Sequence, residues 1–534
     1  MAFSAWTPWS VVTTLGAVLL AILAYELVLR AWLLGKVREA LHRRSQRFTE
    51  KHGVRLDPFK FGGRLLVKEE LLNDPQVNAA MLEAARGGQV WKKGDPPRPP
   101  VPPLEVRKSV EEYIDEIVPA FSLAAYYQFG LGLAKFAVNA VYRPVIDRAS
   151  QERLRSLPKD ATAVFLINHR SNFDYVVVGW ALARQVAVSY AVGEWARVFP
   201  LDALFKAFGG FFVRRGFPDP LYHLVLRRYL QLITRRGVTQ GIFPEGGLTR
   251  DGALRSPKAG LLEAILALTV EPGFDRELYF VPVGINYDRV LEDGHLLSEK
   301  RGRDRPPTIG EKTLGILKAL VLTPYRLLLN GLRVATGRLQ KSGYVAVAFG
   351  PAIRWSDFAR EHKVDLKALT PDERRGAAKQ VAGELMKEIA RCIPATPVPL
   401  VAKAMLELGE TDRSTLSRRV GELRAQLEKL GVPVALGEEF AGHRAEREKL
   451  ASEPERNRDL ARMEGELLDG DEAEAIARLG VGNLAGRGLL VLSGDRVAVG
   501  KREHTAEVLG YYARSLSVLD PAQLPAQLEG AAPR

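Results

Sequence analysis

Six short apolar runs alternate with helical stretches between residues 162 and 349, and this alternation constrains the fold more than any other feature of the chain. The runs are Thr162–Ile167, Val186–Val192, Gly210–Val213, Thr239–Phe243, Leu278–Ile285 and Tyr344–Phe349. Each has the length of a buried strand, and the intervening patterns are long enough for crossover helices. The clearest helix spans 220–235, with Asp219 as its N-cap and Pro220 in the first turn. The expected fold class is α/β, a mixed, largely parallel sheet flanked by helices.

The flanking regions differ in character. Between Trp9 and Tyr25 there are 17 uncharged residues, which as a helix would reach roughly 26 Å, just short of a hydrocarbon core. No positive side chain precedes this segment, whereas Arg30, Lys36, Arg38, Arg43, Arg44 and Arg47 follow it. Residues 1–36 are therefore expected to be an N-terminal membrane anchor helix, either spanning the bilayer or lying on it. That charge bias puts the rest of the chain on the cytoplasmic side of the cell (inner) membrane.

Residues 37–95 form a helical or irregular region, followed at 96–103 by six prolines in eight residues. Such a run is an extended linker. Residues 104–153 read as helical, and the apolar, aromatic stretch 117–142 suits either a core helix or the membrane interface. Residues 154–360 hold the strands, although a basic leucine-rich helical pattern at 309–339 suits a packed or membrane-surface helix. Residues 361–534 are mostly helical, with one hairpin signal at 488–499 that turns at Ser493-Gly494-Asp495.

Hydrophobic residues make up 46% of the chain, enough for a real core, and the formal charge of +13 calls for an acidic partner. Nucleic acid, anionic lipid headgroups, phosphorylated substrates and an acidic carrier protein all qualify on charge. No zinc finger, aromatic RNA-binding run or basic zipper is present, so no nucleic acid is expected. The single cysteine, Cys392, excludes an internal disulfide, a CxxC pair and any multi-cysteine zinc site.

Histidine is the usual general base near neutral pH, and two of the eight histidines stand five residues before an aspartate. His52 with Asp57 lies in a charged stretch ending at Pro58 and reads as a surface turn. His169 with Asp174 ends an apolar strand and opens a turn, at the lip of a sheet where α/β proteins bind ligands. An aspartate in reach can fix the imidazole tautomer and stabilise the imidazolium. Alone, the pair suits a capping aspartate and a satisfied histidine better than a catalytic role. No nucleophile elbow is present, since Gly237–Gly241 has Thr239 where serine is required.

Further clusters accompany it. Phe243-Pro244-Glu245-Gly246-Gly247-Leu248-Thr249-Arg250 follows a strand, its glycines allowing close backbone approach and Thr249, Arg250 and Lys258 offering anion donors. A strand delivers Arg214 and Arg215 at its end, and Val281-Pro282-Val283 carries a proline that marks an edge or bulge.

In this order, N-H-R-S-N-F-D-Y, G-G-F-F-V-R-R, F-P-E-G-G-L-T-R-D-G and V-P-V-G-I-N-Y-D resemble the glycerolipid acyltransferase superfamily. They look most like its membrane-bound bacterial and mitochondrial glycerol-3-phosphate acyltransferases. The resemblance covers residues 154–351, with a fainter echo at Leu509–Arg514, and makes 154–360 the acyltransferase catalytic domain.

It implies that His169 is the general base, that Asp174 orients it and that Glu245 fixes local geometry. Arg215, supported by Gly246, Gly247, Thr249 and Arg250, would hold a phosphate, and Pro282 would shape the thioester side. Leu248 departs from the family's arginine, leaving Arg214, Arg215, Arg250 and Lys258 to supply cations. The implied reaction moves a fatty acyl group from acyl-CoA or acidic acyl-carrier protein to the sn-1 hydroxyl of glycerol-3-phosphate. Membrane lipid is the surrounding partner, and no cofactor or metal is needed. A lysophosphatidate acceptor is the alternative, and a non-catalytic lipid-binding protein is disfavoured because His169, Asp174 and Glu245 are all present.

Overall fold

The computed structural model describes residues 36, 63–87, 98–119, 131–146, 148–158, 161–182, 188–193, 206, 209–214, 216–301, 342–434 and 472–520. The segment Trp9–Tyr25 expected to anchor the chain, His52 with Asp57, Arg215 and the basic stretch 309–339 lie outside these residues. Among the described residues no helix is long and apolar enough to cross a membrane.

In chain order the first strands are β1 (Arg143–Ile146), β2 (Thr162–Ile167), β3 (Ser189–Gly193) and β4 (Phe211–Val213). They are followed by β5 (Gln240–Ile242), β6 (Leu278–Tyr287), β7 (Tyr344–Phe349) and β8 (Ile353–Arg354). All six expected runs contribute a strand.

Two compact units divide the chain, the first made of Met1–Ser122 with Val192–Val238. Here helices Gly63–Leu72, Pro75–Arg86, Pro103–Ile117 and Pro220–Arg235 bury apolar faces that include Val77, Val110, Ile114, Tyr222 and Val225. Asp219 caps the last helix by accepting the Leu221 N–H at 2.8 Å, as its sequence position predicts. The proline run lies within this unit and separates nothing. Its end folds back so that the Val101 N–H donates to Ala85 O at 3.1 Å, because the helices on either side need each other's apolar faces.

The second unit, Leu123–Ala191 with Thr239–Arg534, holds the sheet in the order β1–β7–β6–β2–β5–β3, with β8 beside β6. β2 runs parallel to β5 and β6, β1 to β7 and β3 to β5, while β7 and β8 are antiparallel to β6. This is the mixed, largely parallel sheet that the alternation predicts.

Helices Gly260–Leu268 and Pro371–Cys392 cover one face. Ile265, Val381, Leu385, Met386 and Ile389 close over Val164, Leu166 and Phe280. Residue 361 therefore begins no separate body, since the following helix completes the sheet's own core. Beyond it lie helices Pro397–Leu408, Arg413–Lys429, Glu472–Gly486 and Thr505–Ala513, then a 3₁₀ turn Arg514–Leu519. The expected hairpin pairs β10 (Leu490–Ser493) with β11 (Arg496–Val499), and β9 (Thr411–Asp412) adds a third strand.

Of the edge or bulge expected at Pro282 the structure gives the bulge: β6 is an interior strand with β2 on one side and β7 on the other, and its antiparallel register shifts by one residue at the proline. The proline sits where the antiparallel partner changes from β8, paired through Phe280↔Ile353, to β7, paired from Val283↔Phe349. No ladder bond is forfeited on that side, and the Pro282 carbonyl still accepts the Gly350 N–H at 2.9 Å.

Candidate active site

The carboxyl ends of β2 and β5 bring His169 and Glu245 together. Asn168 makes the first link by imitating a strand residue: its amide donates to Ile285 O at 2.9 Å, and its carbonyl accepts the Ile285 N–H at 2.7 Å. The next residue therefore leaves the sheet in a fixed direction. The His169 N–H donates to Glu245 Oε1 at 2.7 Å, and its carbonyl accepts the Thr249 N–H at 3.0 Å. Both backbone groups of His169 are thus held by the Glu-Gly loop.

The imidazole is fixed as tightly. Nδ1 lies 3.0 Å from Asp174 Oδ2, and the ring packs on Phe243 with centroids 4.3 Å apart. Asp174 opens helix Asp174–Leu182 and is fully buried. Its Oδ2 also accepts the N–H groups of Arg170 at 2.7 Å and Ser171 at 3.0 Å, and its Oδ1 accepts the Tyr287 hydroxyl at 2.6 Å. A carboxylate that accepts these three donors is an acceptor toward the imidazole as well, so Nδ1 carries the proton and Nε2 keeps its lone pair. A base with a preset tautomer is the outcome.

Glu245 is buried beneath this arrangement, and its Oε2 accepts the Arg255 N–H at 2.9 Å. Burial pushes its carboxyl up to about 7, while the two backbone donors and the charges of Arg170 and Arg255 pull the other way. Tyr287 is likewise raised, first by burial and then by the Asp174 charge.

The remaining expected residues have distinct placements. Gly246 takes φ +62° and closes the turn with its N–H on Phe243 O at 2.9 Å. A Cβ there would meet Lys258 Cδ at 2.6 Å. Gly247 is buried in the same turn. Thr249 is buried, and its hydroxyl donates to Ala253 O at 2.6 Å and accepts the Gly252 N–H at 3.1 Å, so it folds the loop. Arg250 is exposed and pairs with Glu299 at 3.0 Å. Lys258 is exposed along Gly246 and makes no ion pair among the described residues.

Arg214 belongs to the other unit, where its Nε donates to Glu116 Oε1 at 2.8 Å and its guanidinium lies 4.4 Å from the Phe217 ring centre. The structure therefore gathers His169, Asp174, Glu245, Gly246, Gly247, Thr249 and Lys258 at one place within the second unit, while Arg214 pairs with Glu116 within the first.

Four residues escape the sequence reading: Tyr287 on Asp174, Glu292 accepting the Ser171 hydroxyl at 2.7 Å, the buried Arg170, and Arg255. Arg255 donates from Nη1 to Leu248 O at 3.2 Å, and its guanidinium makes no ion pair among the described residues. Arg170, beside His169, and Tyr287 both stood inside quoted motifs without a role, whereas Glu292 and Arg255 carried no signal. Among the described residues no group of three or more His, Cys, Asp or Glu is placed to hold a metal.

Residues 149–286 match the family model described as Acyltransferase, and residues 328–496 match the one described as Glycerol-3-phosphate acyltransferase C-terminal region. A protein of Aeromonas hydrophila named glycerol-3-phosphate acyltransferase is 28% identical over 377 residues, which is 69% of this chain and 42% of that one. One of the same name from Actinobacillus succinogenes is 26% identical over 401 residues, covering 74% and 45%. The chain thus spans less than half the length of these curated relatives. The crystal structure of the 1-acyl-sn-glycerophosphate acyltransferase of Thermotoga maritima aligns over 60% of this chain and 96% of that chain. Its identity is 16% and its TM-score 0.26, values from which nothing about this fold follows.

Proposed function

We propose that this chain, which carries an acyltransferase family domain followed by a glycerol-3-phosphate acyltransferase C-terminal region, acylates the sn-1 hydroxyl of glycerol-3-phosphate. The observation that carries the reading is the buried Asp174 carboxylate, which lies 3.0 Å from His169 Nδ1 and accepts three further donors.

His169 Nε2 removes the acceptor's hydroxyl proton as the oxygen attacks the thioester carbonyl of acyl-CoA or acyl-carrier protein. The C–O bond forms, the C–S bond breaks, and the departing sulfur takes the proton from the imidazolium. The product is lysophosphatidate, and no metal or bound cofactor takes part. Arg255 and Lys258 supply phosphate cations on the loop where residue 248 is a leucine, with Arg215 as a further donor. Arg250 joins them by leaving Glu299, since an exposed pair is worth only about 0–1 kcal/mol. Pro282 shapes the thioester side. The segment Trp9–Tyr25 holds the enzyme on the cytoplasmic face of the cell (inner) membrane among its lipids.

The test is a panel with purified protein in lipid or detergent, an acyl thioester, and glycerol-3-phosphate, dihydroxyacetone phosphate or lysophosphatidate as acceptor. Glycerol-3-phosphate should be preferred, and His169→Ala should lose about 1,000-fold or more in kcat. Full activity in His169→Ala would sink the mechanism. Preference for lysophosphatidate would sink the acceptor assignment alone.

A further inference from the structure

The C-terminal helix Thr505–Ala513 and the turn after it lie beyond residue 496, where the second family match ends. They nevertheless touch the loop that holds His169. Arg514 donates from Nε to Asp251 O at 2.7 Å, and Arg170 donates from Nη1 to the adjacent Gly252 O at 3.0 Å. The Arg170 guanidinium lies 5.2 Å from the Tyr511 ring centre. A Cβ on Gly252, which has φ +89°, would stand 1.7 Å from Tyr511 O. Gly252 is thus seated directly on the terminal helix, at a distance no side chain tolerates.

Arg170 is an unusual residue to find there. It is 2% exposed and, among the described residues, makes no ion pair and has no hydrogen-bond partner for Nε or Nη2. A buried guanidinium without a direct counter-ion is costly, so its retention calls for a reason. Its surroundings offer one. The Gly252 carbonyl, the Tyr511 ring face and the Glu245 carboxyl all favour a cation, and a cavity of ≈10 Å³, room for about one water, is lined by Arg170, Glu245, Thr249, Gly252 and Ser515. Ser515 is fixed in turn by accepting from the Asn286 amide at 3.1 Å, and the Tyr512 hydroxyl accepts the Val290 N–H at 3.1 Å. The terminal segment is therefore bolted to the end of β6 on one side and to the Glu-Gly loop on the other.

We propose that the Tyr511–Ser515 segment is a working element of the active site, and that Arg170 is the positioning residue through which it acts. Arg170 and Arg514 hold the two neighbouring carbonyls of Asp251 and Gly252. That fixes Thr249, whose amide in turn holds the His169 backbone. The contribution to catalysis rests on the reading of His169 as the base; the clamp on the loop stands independently of it.

The experiment uses the full chain with Arg170→Met, Arg170→Lys, Arg514→Gln and Gly252→Ala, read by hydrogen exchange and by steady-state kinetics. In Arg170→Met the amides of 249–253 should exchange about 10-fold or more faster, while those of β2 and β6 stay protected. The kcat should fall about 100-fold, as a base displaced by about 1 Å would lose. The KM for glycerol-3-phosphate should stay within about 3-fold, and lysine should recover some of the lost kcat. Arg514→Gln, at a less buried position, should loosen the same amides and covers the case in which Arg170→Met fails to fold. Unchanged loop exchange in both variants would overturn the proposal. Should the wild type acylate none of the three acceptors, the functional reading falls, and the exchange data still decide whether the clamp exists.

Discussion

The two ends of the sheet solve opposite problems. At its carboxyl end His169, Arg170, Asp174 and Glu245 are each no more than 2% exposed, and the hollow beside Arg170 and Glu245 measures only ≈10 Å³. At its amino end, before β6 and after β8, lies an open groove of ≈690 Å³ lined by Asp275, Arg276, Glu277, Arg354, Asp365 and Lys367. There the charges meet in partly exposed pairs such as Arg354 with Glu277 at 2.9 Å, whose side chains are 49% and 29% exposed. Size and charge would choose the groove. Energetics choose the other end, because ionisable groups kept out of water persist only where something requires them.

The comparison breaks first at Asp174. Asp174→Asn keeps the shape and removes the charge that favours imidazolium. It should cost about 1,000- to 10,000-fold in kcat, with little change in the KM of either substrate. A loss below about 10-fold would mean that the buried end owes nothing to this carboxylate.

Glu245 sharpens the contrast through pH. Its folded pKa of about 7 lies above the ordinary 4.5, with burial as the main cause. The folded protein therefore holds this proton more tightly than the unfolded chain does. The resulting stability is fully present below pH 4.5 and is lost as pH rises through about 7. Activity should move the other way, since the ionised carboxylate accepts both the His169 and Arg255 amides. Melting temperature and kcat/KM, measured from pH 4 to 8, should cross. Glu245→Gln should flatten the stability curve and cost roughly 100-fold in kcat. A wild-type melting curve that stays flat through this window would refute the assignment.

How far the sequence revealed all this depends on the range of each contact. The strands and the Pro220–Arg235 helix were legible because period, cap and proline are local signals. His169 with Asp174 was legible as a spacing, given meaning by the loop at Glu245. Tyr287 on Asp174 spans 113 residues of chain, and Arg514 on Asp251 spans 263. Nothing local announces such contacts, which exist only once β6 lies beside β2 and the terminal helix returns to the loop. Arg214 shows the same limit of range. Its place at a strand end was legible, whereas its bond to Glu116, 98 residues away along the chain, was not.

The smallest expected effect tests the groove itself. Arg354 and Glu277 form the ion pair there, and the Glu277 carboxylate also accepts the Ser356 hydroxyl at 3.1 Å. Each group is partly hydrated, so either side chain regains water when its partner is removed. Arg354→Gln should therefore leave kcat and both KM values within about 2-fold and the melting temperature within about 2 °C. A specific rise in the KM of either substrate would show that the larger hollow binds something in the reaction. The contrast between a small rigid site and a large inert groove would then be lost, whatever His169 does at the other end.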